Sequence, residues 1–247
     1  VDVDDEIPNR HVPLLEEFQP VTCEDIKMII NSSPCKTCDL DPTPTSLLKN
    51  PQMLDALLPT ITKLVNQSLS SGIVPRDLKL AQVVPRLKKK NLDVEVMANY
   101  RPVSNIPFIG KILEKVVVSQ LNDHLKRNNL HDPYQSAYRQ KHSVETAILK
   151  VKTDIERVID EGDASILVML DLSAAFDTIN HQILLDRIEQ EIGIRGTPLN
   201  WLRSYLSERK QQCKINEAVS QETDLSVGVP QGYVLGPILF TLYLLPM

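Results

Sequence analysis

The 247-residue sequence has no signal-peptide pattern at its start and no apolar run near the ~18 residues that a membrane-spanning helix needs. These absences favour a cytoplasmic or nuclear location without membrane contact. The sequence also has no internal repeat, no low-complexity tract and no linker long enough to separate independent domains. Because the chain begins without Met and stops inside the apolar stretch TLYLLPM, we interpret it as a fragment.

Cysteine is scarce, and of the four cysteines only Cys35 and Cys38, in CKTC, have a spacing typical of metal sites. A zinc site would need two more ligands, and no His lies near the pair. A redox pair would follow a strand and precede a helix, whereas SSPCKTCDLDPTP is typical of a Pro-rich loop. We therefore expect free thiols.

The net charge of −5 hides a strong asymmetry along the chain. Residues 1–75 carry a net charge of −6, residues 76–152 carry +8, and residues 153–247 carry −7. A basic block inside an acidic chain indicates a polyanionic partner better than the total charge does. The alternative, which charge alone leaves open, is a solvated face that balances its acidic neighbours.

The first half of the chain predicts three helices and a short strand or hairpin. A capping box formed by Thr22 and Asp25 begins a helix that runs to Asn31, and helical periodicity over 53–70 ends at Gly72. LKLAQVVPRLKKK predicts a β-prone run with a basic tip. An extended Arg101-Pro102 pair follows, and then an amphipathic helix with the apolar stripe Leu113, Val117 and Leu121.

The second half mixes helices and strands without a βαβ rhythm. Periodicity predicts a helix from Ser143 to about Asp160, and the unbroken apolar run SILVML, residues 165–170, predicts a central strand with two covered faces. Asn180 can cap the next helix, and Thr197-Pro198 can begin a short one. The loose alternation of 210–228 favours a hairpin before a last apolar helix. The pattern indicates an α+β fold.

Asp171 follows the predicted central strand, where a carboxylate is costly unless a cation or hydrogen bonds compensate it. It can cap the next turn or bind a metal ion, and the residues alone leave both open. Asp177 lies six residues later, so spacing does not place both acids on one ion.

The segments LDLSAAFDTINHQILL and GVPQGYVLGPILF resemble motifs A and B of the reverse transcriptases of LINE-type, non-LTR retrotransposons. Further segments resemble the same family in the same order; they are KTCDLDPTPTSLLK, VNQSLSSGIVPRDLKLAQVVPRLKK, NYRPVSNIPFIGKILEKVV, QSAYRQKHSVETAIL and WLRSYLSERKQ. The similarity covers about residues 20–247, which makes a chance match very improbable.

The resemblance implies an α+β fold of right-hand polymerase type, with fingers, a partial palm, mixed helices, a small antiparallel sheet and no thumb. It implies an N-terminal helical extension over 1–75 and one continuous reverse transcriptase domain over 76–247. The implied reaction copies RNA into DNA with two Mg²⁺ ions, an RNA template, a DNA primer and deoxynucleoside triphosphates. Protein partners are not implied.

The resemblance also assigns roles to individual residues. Asp171 would be the catalytic aspartate that bridges both Mg²⁺ ions, and the backbone carbonyl of Leu172 would assist it. Phe176 would wall off the sugar 2′-carbon, whereas taken alone it would be a core residue. Asp177 would be structural, as a cap of the following helix.

Further residues would contact the nucleotide or the template. Gln231 and Gly232 belong to the motif that lies against the incoming nucleotide, although GVPQG taken alone is adequately explained as a turn. Arg101 and Arg139 match positions that approach the triphosphate or the template, with an ordinary surface arginine as the alternative. Lys88, Lys89 and Lys90 would follow the nucleic-acid backbone.

Two departures from the family pattern matter. Tyr233 stands where the family usually has Ser, and a phenol there would crowd the nucleotide or the template base. The aromatic-x-Asp-Asp turn of motif C is not in the sequence, so one palm aspartate alone cannot complete a two-metal site. The alternative function is therefore a catalytically inactive relic that acts at most as a nucleic-acid-binding module. A third possibility is an interaction protein that reuses the fold.

Overall fold

The computed structural model describes residues 12–172, 175–229 and 232–245. The helices are α1 (Cys23–Ser32), α2 (Thr45–Leu48), α3 (Pro51–Ser71), α4 (Phe108–Arg127), α5 (Val144–Asp160), α6 (His181–Glu191), α7 (Gly196–Leu206) and α8 (Gly236–Leu244). The strands are β1 (Leu80–Leu87), β2 (Tyr100–Asn105), β3 (Arg209–Ile215), β4 (Ala218–Val219) and β5 (Thr223–Leu225). Within the described ranges, no helix has the length and apolar character needed to cross a membrane.

Local capping signals begin α1 and α6 where the sequence predicts, but not α7. The Thr22 hydroxyl accepts the Asp25 amide, and the Asp25 carboxylate accepts the Thr22 amide, so the predicted capping box of α1 is confirmed. The Asn180 side chain accepts the first free amides of α6, so that predicted cap is confirmed as well. Helix α7 begins at Gly196 with Arg195 as its cap residue, so the prediction that Thr197 caps this helix and Pro198 begins it is wrong.

The sheet joins strands that are far apart in sequence. Its order is β2-β1-β3-β4, and β5 also pairs with β3. The β1–β2, β3–β4 and β3–β5 pairs are antiparallel, but β1 and β3 are parallel. The predicted antiparallel sheet is therefore wrong in this respect, because α4 to α7 separate β1–β2 from β3 and allow the chain to return in the same direction.

The core lies between α3, α4 and α7. Trp201 and Tyr205 of α7 are fully buried and stack with ring centres 5.4 Å apart. The Trp201 indole donates a hydrogen bond to the Ser68 hydroxyl of α3 at 3.0 Å. Because α1 and α3 share this packing with α4 and α7, the N-terminal helices support the same core as the later part of the chain. The division at residue 75 stays a prediction.

The predicted central strand over 165–170 is wrong. Residues 164–172 have neither helix nor strand, and Ile166, Met169 and Leu170 are 83–89% exposed. A strand needs a neighbour that accepts and donates backbone hydrogen bonds, and none of the strands in the described residues pairs with this segment. An apolar, β-prone run is therefore insufficient without that neighbour.

Helix α5 forms where periodicity predicts it, but its apolar stripe is not packed. None of its residues is buried, and Val144, Ile148 and Val151 are exposed. A capping box between Ser143 and Thr146 and ion pairs such as Lys150 with Asp154 stabilise the helix locally. The helical spacing of apolar residues thus predicts the helix, but it does not predict which element packs against its apolar stripe.

Candidate functional site

The turn that follows Asp171 is hydrogen-bonded to the loop that precedes Gln231. The Val229 amide donates to the Phe176 carbonyl at 2.7 Å, and the Gly228 amide donates to the Ile179 carbonyl at 2.8 Å. These backbone bonds bring together the two motifs that carry most of the predicted site residues.

Two glycines allow backbones to approach closely in this region. Gly228 has φ +82°, and a Cβ there would lie 2.7 Å from the Asp177 carbonyl oxygen. Gly232 has φ +110°, and a Cβ there would lie 2.6 Å from the Ser104 carbonyl oxygen in β2. Only glycine satisfies both the positive φ and the short contact. The loop is therefore packed between the turn after Asp171 on one side and β2 on the other.

A cavity of about 480 Å³ opens where these segments meet the sheet. Its lining includes Ser104 of β2, Cys213 of β3, Asp177 and the backbone of Gly228 and Val229. Burial raises the pKa of the Asp177 carboxyl above its usual range. Asp177 does not cap α6, because Asn180 does, and the predicted capping role of Asp177 is wrong.

Phe176, which precedes the cavity-lining Asp177, belongs to an aromatic cluster. Its ring is 4.8 Å from the ring of Phe240 in α8 and 6.2 Å from that of Tyr138, measured between centres. The side chain is half-buried, so one part packs and another remains accessible. This placement accommodates both the sugar-wall role and the core role, and the former stays a prediction.

Asp171 and Leu172 lie in irregular, exposed backbone. The predicted burial of the carboxylate at a strand tip is therefore wrong. Mg²⁺ prefers near-octahedral oxygen coordination. In the described residues no group of three or more His, Cys, Asp or Glu side chains could hold a metal ion. One carboxylate and one carbonyl do not by themselves make a two-metal centre.

The cysteine pair of CKTC adds no metal ligand. Cys35 is exposed, whereas Cys38 is half-buried and donates to the Ile106 carbonyl at 3.5 Å. Burial raises the pKa of the Cys38 thiol, which disfavours the thiolate form that metal binding requires.

Arg101 lies on the exposed face of the β1–β2 hairpin, directly opposite Arg86 in the register of the two strands. Lys88, Lys89 and Lys90 follow β1 and are exposed. The predicted basic hairpin is thus confirmed as a local structure. Like charges facing each other across a ladder repel, and a bound anion would relieve that repulsion.

Arg139 is placed differently. Its Nη1 donates to the Asp132 carbonyl at 2.9 Å, so this guanidinium stabilises the loop before α5. Its predicted contact with the triphosphate or the template stays a prediction.

Gln231 lies outside the described residues, whereas Gly232 and Tyr233, which follow it, are described. Tyr233 is 4% exposed, and its ring is 6.4 Å from that of Tyr205, centre to centre. The expectation that the phenol crowds the nucleotide is therefore wrong, because the side chain turns into the core. A Tyr at this position extends the apolar contacts of the loop.

Sequence reasoning missed a buried polar cluster under the same loop. Glu114 of α4 accepts the amides of Val234 and Leu235, and Arg209 of β3 lies between the rings of Tyr205 and Tyr233. The one available signal was an acid within the apolar sequence KILEKVVV, whose partners lie about a hundred residues away.

Comparison with known proteins agrees with these motifs. The family described as "Reverse transcriptase (RNA-dependent DNA polymerase)" matches residues 87–247, well over half of the chain. The chain is 26% identical to a probable RNA-directed DNA polymerase from transposon BS and 28% identical to one from transposon X-element, both of Drosophila melanogaster. Each match covers 92% of this chain and 24% of the relative.

A third relative is the RNA-directed DNA polymerase from mobile element jockey of Drosophila melanogaster, 26% identical over 90% of this chain and 24% of its own length. The chain therefore spans about a quarter of the length of these curated relatives. The resemblance to LINE-type elements is confirmed, and the chain belongs to the reverse transcriptase (RNA-dependent DNA polymerase) family.

Proposed function

We propose that this chain is the fingers and part of the palm of an RNA-directed DNA polymerase, and that within a longer protein it holds the template, the primer and the incoming nucleotide. The family match and the relatives' names support the polymerase class. The full-length relatives are named as RNA-directed DNA polymerases, which copy RNA into DNA. We propose the same activity for the longer protein that contains this chain.

The observation that carries the proposal is the convergence of β2, the turn after Asp171 and the described loop residues Gly228, Val229 and Gly232. Backbone hydrogen bonds of 2.7 and 2.8 Å join the turn to the loop, and Gly232 packs on Ser104 of β2. A nucleotide bound here would meet Arg101 at its phosphates and Phe176 at its sugar, and Gln231 is the residue that the family motif assigns to the incoming nucleotide. Arg suits the phosphate end because its guanidinium binds two oxygens at once.

The β1–β2 hairpin supports nucleic-acid binding through charge. Arg86 faces Arg101, and Lys88, Lys89 and Lys90 lie at the adjoining tip. Exposed ammonium groups bind phosphates without reading bases, so this hairpin would supply affinity more than sequence specificity.

A second candidate function is nucleic-acid binding without synthesis. One exposed Asp171 with a neighbouring carbonyl favours it, because the described residues supply no further cluster of metal ligands. In that reading the basic hairpin retains its role and Asp171 has none.

Binding is tested with the 247-residue chain and a fluorescent RNA–DNA duplex, by anisotropy over a salt series. Changing Lys88, Lys89 and Lys90 together to Ala should weaken binding and reduce the slope of log affinity against log salt by about 2–3. The matched control changes the exposed Lys36, Lys63 and Lys126 to Ala. Equal losses in the two triple variants would refute a binding role for the hairpin.

Synthesis is tested by primer extension on an RNA template with added Mg²⁺. Extension that is lost in Asp171→Ala would favour the polymerase over the binding module. Duplex binding without extension in the unmodified chain would favour the binding module.

A further inference from the structure

A carboxylate and a guanidinium are buried beneath the loop of the proposed site, and no predicted role uses them. Glu114 and Arg209 are each 2% exposed. Burial raises the pKa of the Glu114 carboxyl, and the nearby Arg209 charge opposes that rise. Buried charges are costly unless they are paired and hydrogen-bonded, so the contacts of this cluster indicate what offsets the cost.

Glu114 binds the backbone of the loop. Its Oε2 accepts the Val234 amide at 2.6 Å and the Leu235 amide at 3.2 Å, and its Oε1 accepts the Tyr205 hydroxyl at 3.0 Å. Leu235 is the cap residue of α8 and its own side chain cannot accept a hydrogen bond. A carboxylate from α4 therefore satisfies amides that the loop and α8 leave free.

Arg209 fixes the side chain that follows Gly232. Its Cζ lies 4.6 Å from the ring centre of Tyr205 and 4.7 Å from that of Tyr233, and its Nη1 donates to the Tyr205 carbonyl at 2.9 Å. A cation that lies over the faces of two neighbouring aromatic rings stabilises both rings. The loop is thus attached through its backbone to α4 and through Tyr233 to β3.

The same loop is also attached to β2, because Gly232 packs on the Ser104 carbonyl. Strand β2 leads directly into α4. The chain from Arg101 to Glu114 therefore contacts the loop twice, once at Gly232 and once at Val234 and Leu235.

We propose that Glu114 is a positioning residue that fixes the Gly232–Leu235 turn on the β2–α4 segment and so holds Gly232 in its place beside β2 in the proposed site. This rests on the proposed function, because the position of Gly232 matters only if a nucleotide binds there. Glu114 itself does not touch the reacting groups.

Hydrogen–deuterium exchange on the 247-residue chain tests the contact. Glu114→Leu removes the acceptor at similar volume and should raise the exchange rate of the amides of 232–236 about tenfold or more. Glu114→Gln keeps an oxygen acceptor and should restore most of the protection. Tyr205→Phe is the matched control, since it removes the other hydrogen bond of the same carboxylate and leaves the loop amides paired.

A rise in exchange that is equal in Glu114→Leu and Tyr205→Phe, or spread evenly over α4 and α7, would show that Glu114 only stabilises the core. A rise confined to the loop and absent from Tyr205→Phe supports the positioning role.

A binding measurement separates this proposal from the proposed function. Anisotropy of an RNA–DNA duplex is measured with and without the complementary deoxynucleoside triphosphate. Glu114→Leu should lose the nucleotide-dependent tightening while duplex affinity changes less than about twofold, since the basic hairpin is intact. If the unmodified chain binds neither the duplex nor the nucleotide, the proposed function is refuted. The exchange result would then describe a structural contact without a role in nucleotide binding. If the unmodified chain binds both and Glu114→Leu behaves identically, only the positioning proposal fails.

Discussion

Replacing Gly228 by Ala tests whether the loop before Gln231 is pressed against the turn after Asp171. Gly228 has φ +82°, and an L residue pays about 1–2 kcal/mol in that region. The new Cβ would lie 2.7–2.8 Å from the carbonyl oxygen, carbonyl carbon and Cα of Asp177. Backbone atoms cannot rotate away as a flexible side chain can, so overpacking adds about 1–3 kcal/mol. We expect a total loss of about 2–5 kcal/mol in the free energy of unfolding.

Urea unfolding followed by Trp201 fluorescence measures this loss. Trp201 is the single tryptophan of the chain and is fully buried, so its emission reports unfolding of the core. The control is Gly162→Ala, because Gly162 has φ +86° and no atom within 4 Å of a Cβ built there. Gly162→Ala introduces the backbone strain without the close contact, so it should lower the free energy of unfolding by about 1–2 kcal/mol.

The difference between the two variants isolates the contact with Asp177. If Gly228→Ala and Gly162→Ala agree within about 0.5 kcal/mol, the close packing of loop and turn is refuted. A larger loss in Gly228→Ala with an unchanged urea slope supports it, because an unchanged slope means that the same surface is exposed on unfolding.

Two further predictions concern buried polar groups. Burial raises the folded-state pKa of Glu114 above its ordinary value of 4.5, so its contribution to stability is fully present below that pH and is lost as pH rises through the raised pKa. The unmodified chain should therefore lose stability relative to Glu114→Gln as the pH rises above 4.5 in urea unfolding, and a difference that does not change with pH would contradict the argument. The Thr62 hydroxyl in α3 is buried without a hydrogen-bond partner in the described structure, so Thr62→Val should raise the free energy of unfolding by about 1 kcal/mol. A loss of stability in that variant would indicate a partner for the hydroxyl.

Local signals in the sequence predicted most helices and the basic hairpin. Thr22 with Asp25, and Asn180, cap helices through contacts within three residues, which a sequence displays directly. The strand predicted over 165–170 was wrong for the opposite reason. A strand depends on a neighbouring strand, and the sequence of the segment carries no information about that neighbour. The same limit applies to α5, whose periodic stripe is exposed in the structure.

The same distinction between local and long-range information applies to the candidate site. Family motifs predicted Asp171, Phe176, Gly232 and Arg101, and the structure brings the backbone of the last three segments together. The support beneath them could not be predicted, because Glu114 reaches Val234 across 120 positions of sequence. Tyr233 was misjudged for a related reason, since its burial depends on an arginine that only the fold places beside it.

The arrangement gives the β2–α4 segment an unusual position in the proposed site. It carries Arg101, which would meet the phosphates, and it contacts the loop that carries Gln231 through Ser104 and Glu114. A short strand followed by a helix whose buried face includes Leu113, Val117 and Leu121 is a rigid support. Because one segment would support both ends of a nucleotide bound in the proposed site, a shift of α4 would move both contacts together and preserve their spacing. Substitutions under α4 should therefore weaken nucleotide binding by displacing the site as a unit, whereas substitutions in the loop should alter the spacing between phosphate and base contacts.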